Sequence, residues 1–119
     1  MFEDKRKFKR VATNVLVRFN EQKVEDKETR QYLQGVADNC SLGGMFLSTD
    51  CLMPKGTVLN LSFMCIDDGN EVHIEAKAIV RWVQRIRKPK GLGLEFFEFS
   101  GLGERDFSEC LEKLFKEPV

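Results

Sequence analysis

The chain alternates hydrophobic and polar residues over much of its length. Val15, Val17 and Phe19 occupy every second position of one segment, a period of two that predicts a β-strand with one buried face. The same period predicts strands at TVLNLSFMCI and in a long segment beyond it, with Asp68-Gly69 as the hairpin turn between them. The long segment is predicted to place one row of residues on a shared face: Val72, Ile74, Ala76, Ala78, Val80 and Trp82. Shorter strands are predicted around YLQGVAD, MFLST and GLGLEFFEF.

The end of the chain has a different period. Its apolar residues recur at helical spacing, which predicts an amphipathic helix over 103–116 with one apolar stripe: Phe107, Cys110, Leu111, Leu114 and Phe115. Six or seven short antiparallel strands followed by a single helix predict a mainly β fold, a small closed or nearly closed β-barrel. The helix is expected to cover an open end or an edge of that barrel.

Composition and charge restrict where the protein acts. At 119 residues, 42% hydrophobic and 32% charged, the chain is predicted to form one soluble domain. Its formal net charge is zero, so no overall field attracts it to nucleic acid or anionic lipid, and any anion site must be local. No apolar stretch approaches the roughly 20 residues of a membrane span, and the N-terminus does not resemble a signal peptide. We therefore expect a cytoplasmic protein without membrane insertion.

The residues that usually carry catalysis or bind metals are few. The four cysteines form no CxxC pair, and His73 is the only histidine, so neither a zinc site nor base catalysis is expected. The thiols are predicted to be reduced and in or near the core. GLGLEF lacks the third glycine of a dinucleotide fingerprint, and SLGG lacks the lysine of a phosphate-binding loop. The sequence thus predicts a protein that is not an enzyme and holds no metal or cofactor.

Two segments remain as candidates for ligand chemistry. Residues 5–10, KRKFKR, place five cations around one phenylalanine. In the second segment, DNCSLGG, Asn39 and Ser41 are expected to point the same way from an extended chain. Gly43 and Gly44 follow them, allowing positive φ and close approach of a ligand to the backbone. This segment has two interpretations: it recognises a polar ring edge, or it is a tight turn in which Asn39 and Ser41 cap their own backbone.

The two segments together have a recognisable pattern. The first reads R-x-x-x-R across Arg6 and Arg10, and the second reads N-x-S-x-x-G across Asn39, Ser41 and Gly44. This pair of motifs, in this order and at the start of a small β-barrel, resembles the PilZ domain family. GLGLEF after a strand ending in VRW is similar to the closing strands of that family. The resemblance covers essentially the whole chain.

The resemblance implies a function and a set of ligand contacts. PilZ domains are bacterial receptors for cyclic di-GMP, whose phosphates and guanines suit the planar, bidentate fork of arginine. It implies that Arg6 and Arg10 contact the ligand, that Asn39 and Ser41 contact a guanine edge, and that Gly44 lets the turn close. It further implies a group of auxiliary residues: Lys5, Lys7, Lys9, Asp38 as an alternative to Asn39, and Gly43.

The expected mechanism is a change in a flexible basic arm. We predict an arm at 1–12, a barrel at 13–99 and the helix at 103–116, the arm becoming ordered on binding and signalling to an unidentified protein target. The protein is expected to be a monomer or weak dimer. One alternative is a PilZ-like interaction module that does not bind the nucleotide. Another is a small RNA- or single-stranded-DNA-binding barrel, disfavoured by the zero net charge and because Phe46, Phe63 and Trp82 are predicted to lie in core rows.

Overall fold

The structure is a computed structural model that describes residues 11–22, 32–67 and 69–116, with side chains for 15–22, 32–67 and 69–112. In this part of the chain six strands precede one helix: β1 Val11–Glu21, β2 Leu33–Ser41, β3 Gly44–Ser48, β4 Val58–Asp67, β5 Asn70–Gln84, β6 Gly91–Phe99 and α1 Gly103–Lys116. The strands close into a barrel in the order β1-β2-β3-β6-β5-β4, with every neighbouring pair antiparallel. This confirms the predicted fold class.

The start of the barrel differs from the predicted boundary. β1 begins at Val11, two residues before the expected start at position 13, because Val11 and Ala12 pair with Cys40 and Asn39 of β2. Residues 1–10 of the predicted arm lie outside the described residues. At the β4–β5 hairpin, Asp67 pairs with Asn70 and Gly69 has φ +80°, a left-handed conformation that glycine adopts without steric cost.

The alternating pattern places the core inside the barrel. Side chains from all six strands point inward and are buried, including Val17, Phe19, Leu47, Leu61, Ile74 and Leu92. Burying a side chain of this size stabilises a fold by about 1.5–3 kcal/mol relative to leaving it exposed. His73 is exposed on the opposite face of β5, as predicted, with its Nε2 2.6 Å from the hydroxyl of Ser62.

The helix covers one end of the barrel through its apolar stripe. Phe107 is 2% exposed, and its ring packs edge-on against Phe63 and Phe96, with centroid distances of 5.3 and 5.8 Å. Cys110 and Leu111 are also buried. Glu104 and Asp106 lie in the first turn, where negative charge interacts favourably with the helix dipole.

Two sequence predictions about the core are wrong. Trp82 does not share the face of Val80; it is 45% exposed. A register shift in the β5–β6 pairing makes Arg81 an extra residue, so Val80 pairs with Leu94 and Trp82 with Gly93. A β-bulge of this kind turns the following side chain to the other face. In addition, Cys51 is exposed, whereas Cys40 and Cys110 are buried and Cys65 is partly buried, because Cys51 lies in the irregular segment between β3 and β4.

Candidate functional site

The DNCSLGG segment forms the end of the β2–β3 hairpin. Asn39 pairs with Phe46, Cys40 with Met45 and Ser41 with Gly44. Because Cys40 and Met45 point into the core, the alternation of a strand directs the side chains of Asn39 and Ser41 to the outer face. The predicted common orientation of these two side chains is therefore present in the structure.

Ser41 has a local role in this turn. Its hydroxyl oxygen accepts a hydrogen bond from the backbone N–H of Gly43 at 3.2 Å, and the residue is only 4% exposed. The carbonyl of Gly43 in turn accepts a hydrogen bond from the backbone N–H of Phe96 at 2.9 Å. The interpretation of DNCSLGG as a turn that caps its own backbone thus holds for Ser41, and its contact with a ligand stays a prediction.

Gly44 is required for a reason that differs from the predicted one. Its φ is not positive; instead, the backbone of β6 passes so close that a Cβ at this position would lie 2.0 Å from the carbonyl oxygen of Leu94. Gly44 pairs directly with Glu95 of β6. The glycine therefore allows β3 and β6 to approach each other at the turn end of the hairpin, where Gly44 pairs with Ser41.

Asp38, the alternative to Asn39, occupies an irregular position. The register between β2 and β3 shifts between Ala37 and Asn39, so Asp38 is the extra residue of a bulge. Both Asp38 and Asn39 are half-buried. The bulge allows Ala37 and Cys40, which are three residues apart, to face the core together, and it returns Asn39 to the outer face in register with Phe46.

Sequence reasoning missed an aromatic pair on the outer face beside this hairpin. The rings of Phe46 and Trp82 stack with their centroids 5.3 Å apart and their planes inclined by 24°. Gly93 lies between them in the strand order, paired with Phe46 on β3 and with Trp82 on β5. A Cβ at Gly93 would meet the indole at 2.1 Å, and one at Gly91 would meet the Phe46 ring at 2.6 Å. The two glycines of GLGLEF therefore make room for the two rings.

The aromatic pair lies in line with Asn39. The pairings Asn39 to Phe46, Phe46 to Gly93 and Gly93 to Trp82 form one row across β2, β3, β6 and β5. Directly paired residues on one face of a sheet have Cβ atoms about 4.5–5.5 Å apart. The sequence signal for this part of the site was the presence of a tryptophan at position 82. The bulge that exposes its side chain cannot be recognised from the alternation of hydrophobic and polar residues.

The first described residue, Val11, pairs with this same hairpin. Arg10 and the other predicted cations, Arg6, Lys5, Lys7 and Lys9, lie outside the described residues, but Arg10 directly precedes Val11, which pairs with Cys40. Cys40 is the residue between Asn39 and Ser41.

An exposed ion pair between β5 and β6 lies next to the hairpin. Arg81, the bulge residue of β5, donates from Nε to the carboxylate of Glu95, the residue that pairs with Gly44. Both side chains are exposed. The outer face around the hairpin therefore combines an amide, an aromatic surface and an ion pair, all of them held by strands and not by loops.

Other kinds of site find little support in the described part of the chain. The His, Cys, Asp and Glu side chains described by the structure contain no cluster that could hold a metal ion. Among those same residues there is no helix with the length and apolarity that a bilayer crossing requires. A concavity of about 530 Å³ lies next to the β5–β6 loop and is open to solvent, lined among others by Gln34, Thr49, Asp50, Lys88 and Lys90.

A comparison with models of protein families tests the family relationship that the two sequence motifs indicated. Residues 4–113 match the model of the PilZ domain. The chain belongs to the PilZ domain family. The match includes both motif segments and ends within α1, so it confirms the resemblance drawn from the sequence. A search of curated proteins finds no match.

Solved structures of PilZ proteins share the fold. The inhibitor of motility MotI (DgrA) of Bacillus subtilis superposes with a TM-score of 0.76 at 18% identity, over 98% of this chain and 55% of that one. The PilZ domain of YcgR from Escherichia coli, determined with cyclic di-GMP, gives a TM-score of 0.56 at 13% identity, over 95% of this chain and 93% of that one. This chain thus spans about half the length of MotI.

Proposed function

We propose that this PilZ domain is a cyclic di-GMP receptor whose ligand binds on the outer face at the β2–β3 hairpin. The observation that carries the proposal is the pairing of Val11, the residue that follows the R-x-x-x-R segment, with Cys40, which lies between Asn39 and Ser41. In this proposal the two motifs, far apart in the sequence, act on one ligand. The YcgR PilZ domain, solved with cyclic di-GMP, has the same fold and supports this choice of ligand.

The arginines supply the contacts to the charged part of the ligand. A cyclic dinucleotide carries two phosphates, and guanidinium groups bind phosphate bidentately or pair with the O6 and N7 atoms of guanine. Arg6 and Arg10 are four residues apart on a segment anchored at Val11. In this proposal they close over the ligand from the side of the arm, with Lys5 and Lys9 adding local positive charge in a chain whose net charge is zero.

The barrel supplies the contacts to the bases. Asn39 lies in register with Phe46 on the outer face, so its amide can hydrogen-bond a guanine edge next to an aromatic surface. Trp82 is 45% exposed and stacks on Phe46, and base–aromatic stacking contributes about 1–3 kcal/mol per base. Ser41 and Gly44 hold the hairpin that positions Asn39.

Calorimetric titration of site variants with cyclic di-GMP tests the proposal. Arg10→Ala is expected to weaken binding about ten- to hundredfold, because a charge-assisted bidentate contact is worth about 1.5–3 kcal/mol. Asn39→Ala is expected to weaken it by about fivefold or more. The matched controls are Arg105→Ala and Asn70→Ala, exposed residues of α1 and the β4–β5 hairpin. If the controls lost as much affinity as the site variants, the proposed location would be wrong.

Signalling in this proposal passes through the arm. Binding orders residues 1–10 over the hairpin at an entropic cost that the charge-assisted bonds offset, and the altered surface is then read by a protein target. Amide exchange at residues 5–12 is expected to slow when cyclic di-GMP is added. Unchanged exchange at saturating ligand would refute the switch while leaving the binding proposal intact.

The exposed indole of Trp82 also favours a second candidate. Trp82 was expected in the core, but it is 45% exposed and stacks on the buried ring of Phe46, so one of the arguments against a single-stranded nucleic-acid site does not hold. Titration with a short single-stranded RNA, in parallel with cyclic di-GMP, separates the two. The receptor proposal predicts saturable binding of the cyclic dinucleotide and at most weak, salt-sensitive binding of the RNA.

A further inference from the structure

The loop that joins β5 to β6 carries a second cluster of positive charge. Residues 85–90 read RIRKPK, and all six are exposed. Four of them are cations, and Ile86, between two arginines, is 94% exposed. A side chain this exposed makes no contribution to the core, and its apolar surface is available to another apolar phase.

The cations of this loop are free of partners within the described structure. None of Arg85, Arg87, Lys88 and Lys90 takes part in a salt bridge with a described carboxylate; the ion pairs found there involve Lys77, Arg81 and Arg105. Asp50 is the acidic residue that lies with Lys88 and Lys90 along the adjacent groove. Because the chain is neutral as a whole, this concentration of charge is local.

Several acidic side chains lie at the other end of the barrel. β5 runs from the β4–β5 hairpin, with Glu71 and Glu75, to the basic loop after Gln84. The helix at the hairpin end adds exposed carboxylates: Glu104, Glu109 and Glu112. Within the described part of the molecule, the β5–β6 loop is therefore a region of positive charge that an anionic surface attracts.

The loop is held in shape by contacts with its base. The side-chain amide of Gln84 donates to the carbonyl of Pro89 at 2.7 Å, and the carbonyl of Lys90 accepts a hydrogen bond from the backbone N–H of Thr49 at 3.0 Å. Pairing of Gln84 with Gly91 closes the hairpin. A loop braced at both ends loses less conformational entropy when it binds a surface than a free segment does.

We propose that the β5–β6 loop binds the surface of an anionic phospholipid bilayer, with Ile86 entering the headgroup region and the four cations at the lipid phosphates. Both the apolar residue and the cations suit such a surface. Segments that bind at a membrane interface combine apolar residues with flanking basic residues. Arginine and lysine extend their charged ends to the lipid phosphates while their aliphatic parts lie along the apolar region. The association is peripheral and requires no span.

A lipid surface fits this loop better than an acidic protein does. A stable protein interface buries about 800 Å² on each partner with close shape complementarity, whereas six residues projecting from a hairpin offer a small area. The affinity for a lipid surface instead increases with the number of cations near the surface and with the insertion of an apolar side chain. It does not require a partner of complementary shape. This inference rests on the loop alone and is independent of the cyclic di-GMP proposal.

Co-sedimentation with vesicles tests the inference on the full chain. Vesicles of phosphatidylcholine and phosphatidylglycerol in equal parts are expected to pellet the native protein at low salt, and phosphatidylcholine vesicles are not. Arg87→Gln with Lys88→Gln is expected to lower the partition coefficient about 25-fold, since each cation near an anionic surface is worth about fivefold. Ile86→Ser, which keeps every charge, is expected to lower it several-fold.

The control changes the same number of charges elsewhere. Lys77→Gln with Arg105→Gln removes two cations that lie in exposed ion pairs away from the loop, and this variant is expected to bind the vesicles like the native protein. Equal loss in the control and the loop variant, or no pelleting of the native protein, would overturn the inference. Retention on poly-glutamate that depends on Arg87 and Lys88, without vesicle binding, would overturn it in favour of an acidic protein partner.

Discussion

Replacing Gly44 with alanine tests how the hairpin of the proposed site is built. A Cβ at this position would lie 2.0 Å from the carbonyl oxygen of Leu94 and 3.1 Å from its carbonyl carbon, and Cβ atoms in proteins are essentially never closer than 3.0 Å to such an atom. Because the clashing atoms belong to the backbone, the clash cannot be relieved by rotation of a side chain. β3 and β6 must therefore separate by about 1 Å at the pair formed by Gly44 and Glu95.

The expected cost follows from that displacement. Overpacking in a well-packed region typically destabilises a protein by about 1–3 kcal/mol, and the movement also strains the hydrogen bond from Phe96 N–H to the carbonyl of Gly43, which is 2.9 Å long. In urea denaturation, where the slope for small domains is about 1–3 kcal/mol per molar, the midpoint should fall by about 1 M. Binding of cyclic di-GMP should weaken as well, because Ser41 faces Gly44 across the hairpin.

Gly103 provides the matched control. It is the first residue of α1, its φ is not positive, and a Cβ there would meet no atom closer than 3.6 Å. Gly103→Ala is expected to leave the free energy of unfolding unchanged or to raise it by up to about 1 kcal/mol, since alanine is the better helix former. The reasoning would be refuted if Gly44→Ala unfolded at the same urea concentration as the native protein.

The remaining predictions concern the core, the thiols and the aromatic pair. Phe107→Ala should destabilise the fold by about 3–5 kcal/mol in thermal or urea unfolding, whereas Phe97→Ala, at a side chain 55% exposed, should cost little. A thiol reagent should modify Cys51 rapidly in the native protein, while Cys65, whose pKa is raised by burial and by a hydrogen bond with Cys110, reacts only on unfolding; rapid modification of more than one thiol would contradict this. Trp82→Ala should weaken cyclic di-GMP binding about fivefold or more in calorimetry with little loss of stability, and unchanged affinity would remove Trp82 from the site.

The fold could be predicted because its determinants are local and periodic. Alternation along β4 and β5 identified strands with one buried face, and helical spacing around Phe107 identified α1. What alternation cannot show is where a strand gains a residue. The bulge at Arg81 reverses the orientation of every side chain after it, and for this reason Trp82 was predicted in the core but lies on the surface.

The candidate site was predictable in its residue types and less so in their physical roles. The spacing of Asn39 and Ser41 correctly indicated a shared face, but the need for Gly44 comes from the approach of Leu94, fifty residues away in the chain. The same is true of Gly91 and Gly93, which make room for Phe46 and Trp82. Close approaches between distant segments are properties of the closed barrel, and no local pattern encodes them.

The central claim is that this PilZ domain binds cyclic di-GMP at the β2–β3 hairpin. Calorimetric titration of the native chain with cyclic di-GMP, with GMP as the control ligand, tests it most directly. The account predicts saturable binding of the cyclic dinucleotide that is at least tenfold weaker in Arg10→Ala, and no comparable binding of GMP. Absence of binding, or equal binding of both nucleotides, would contradict it.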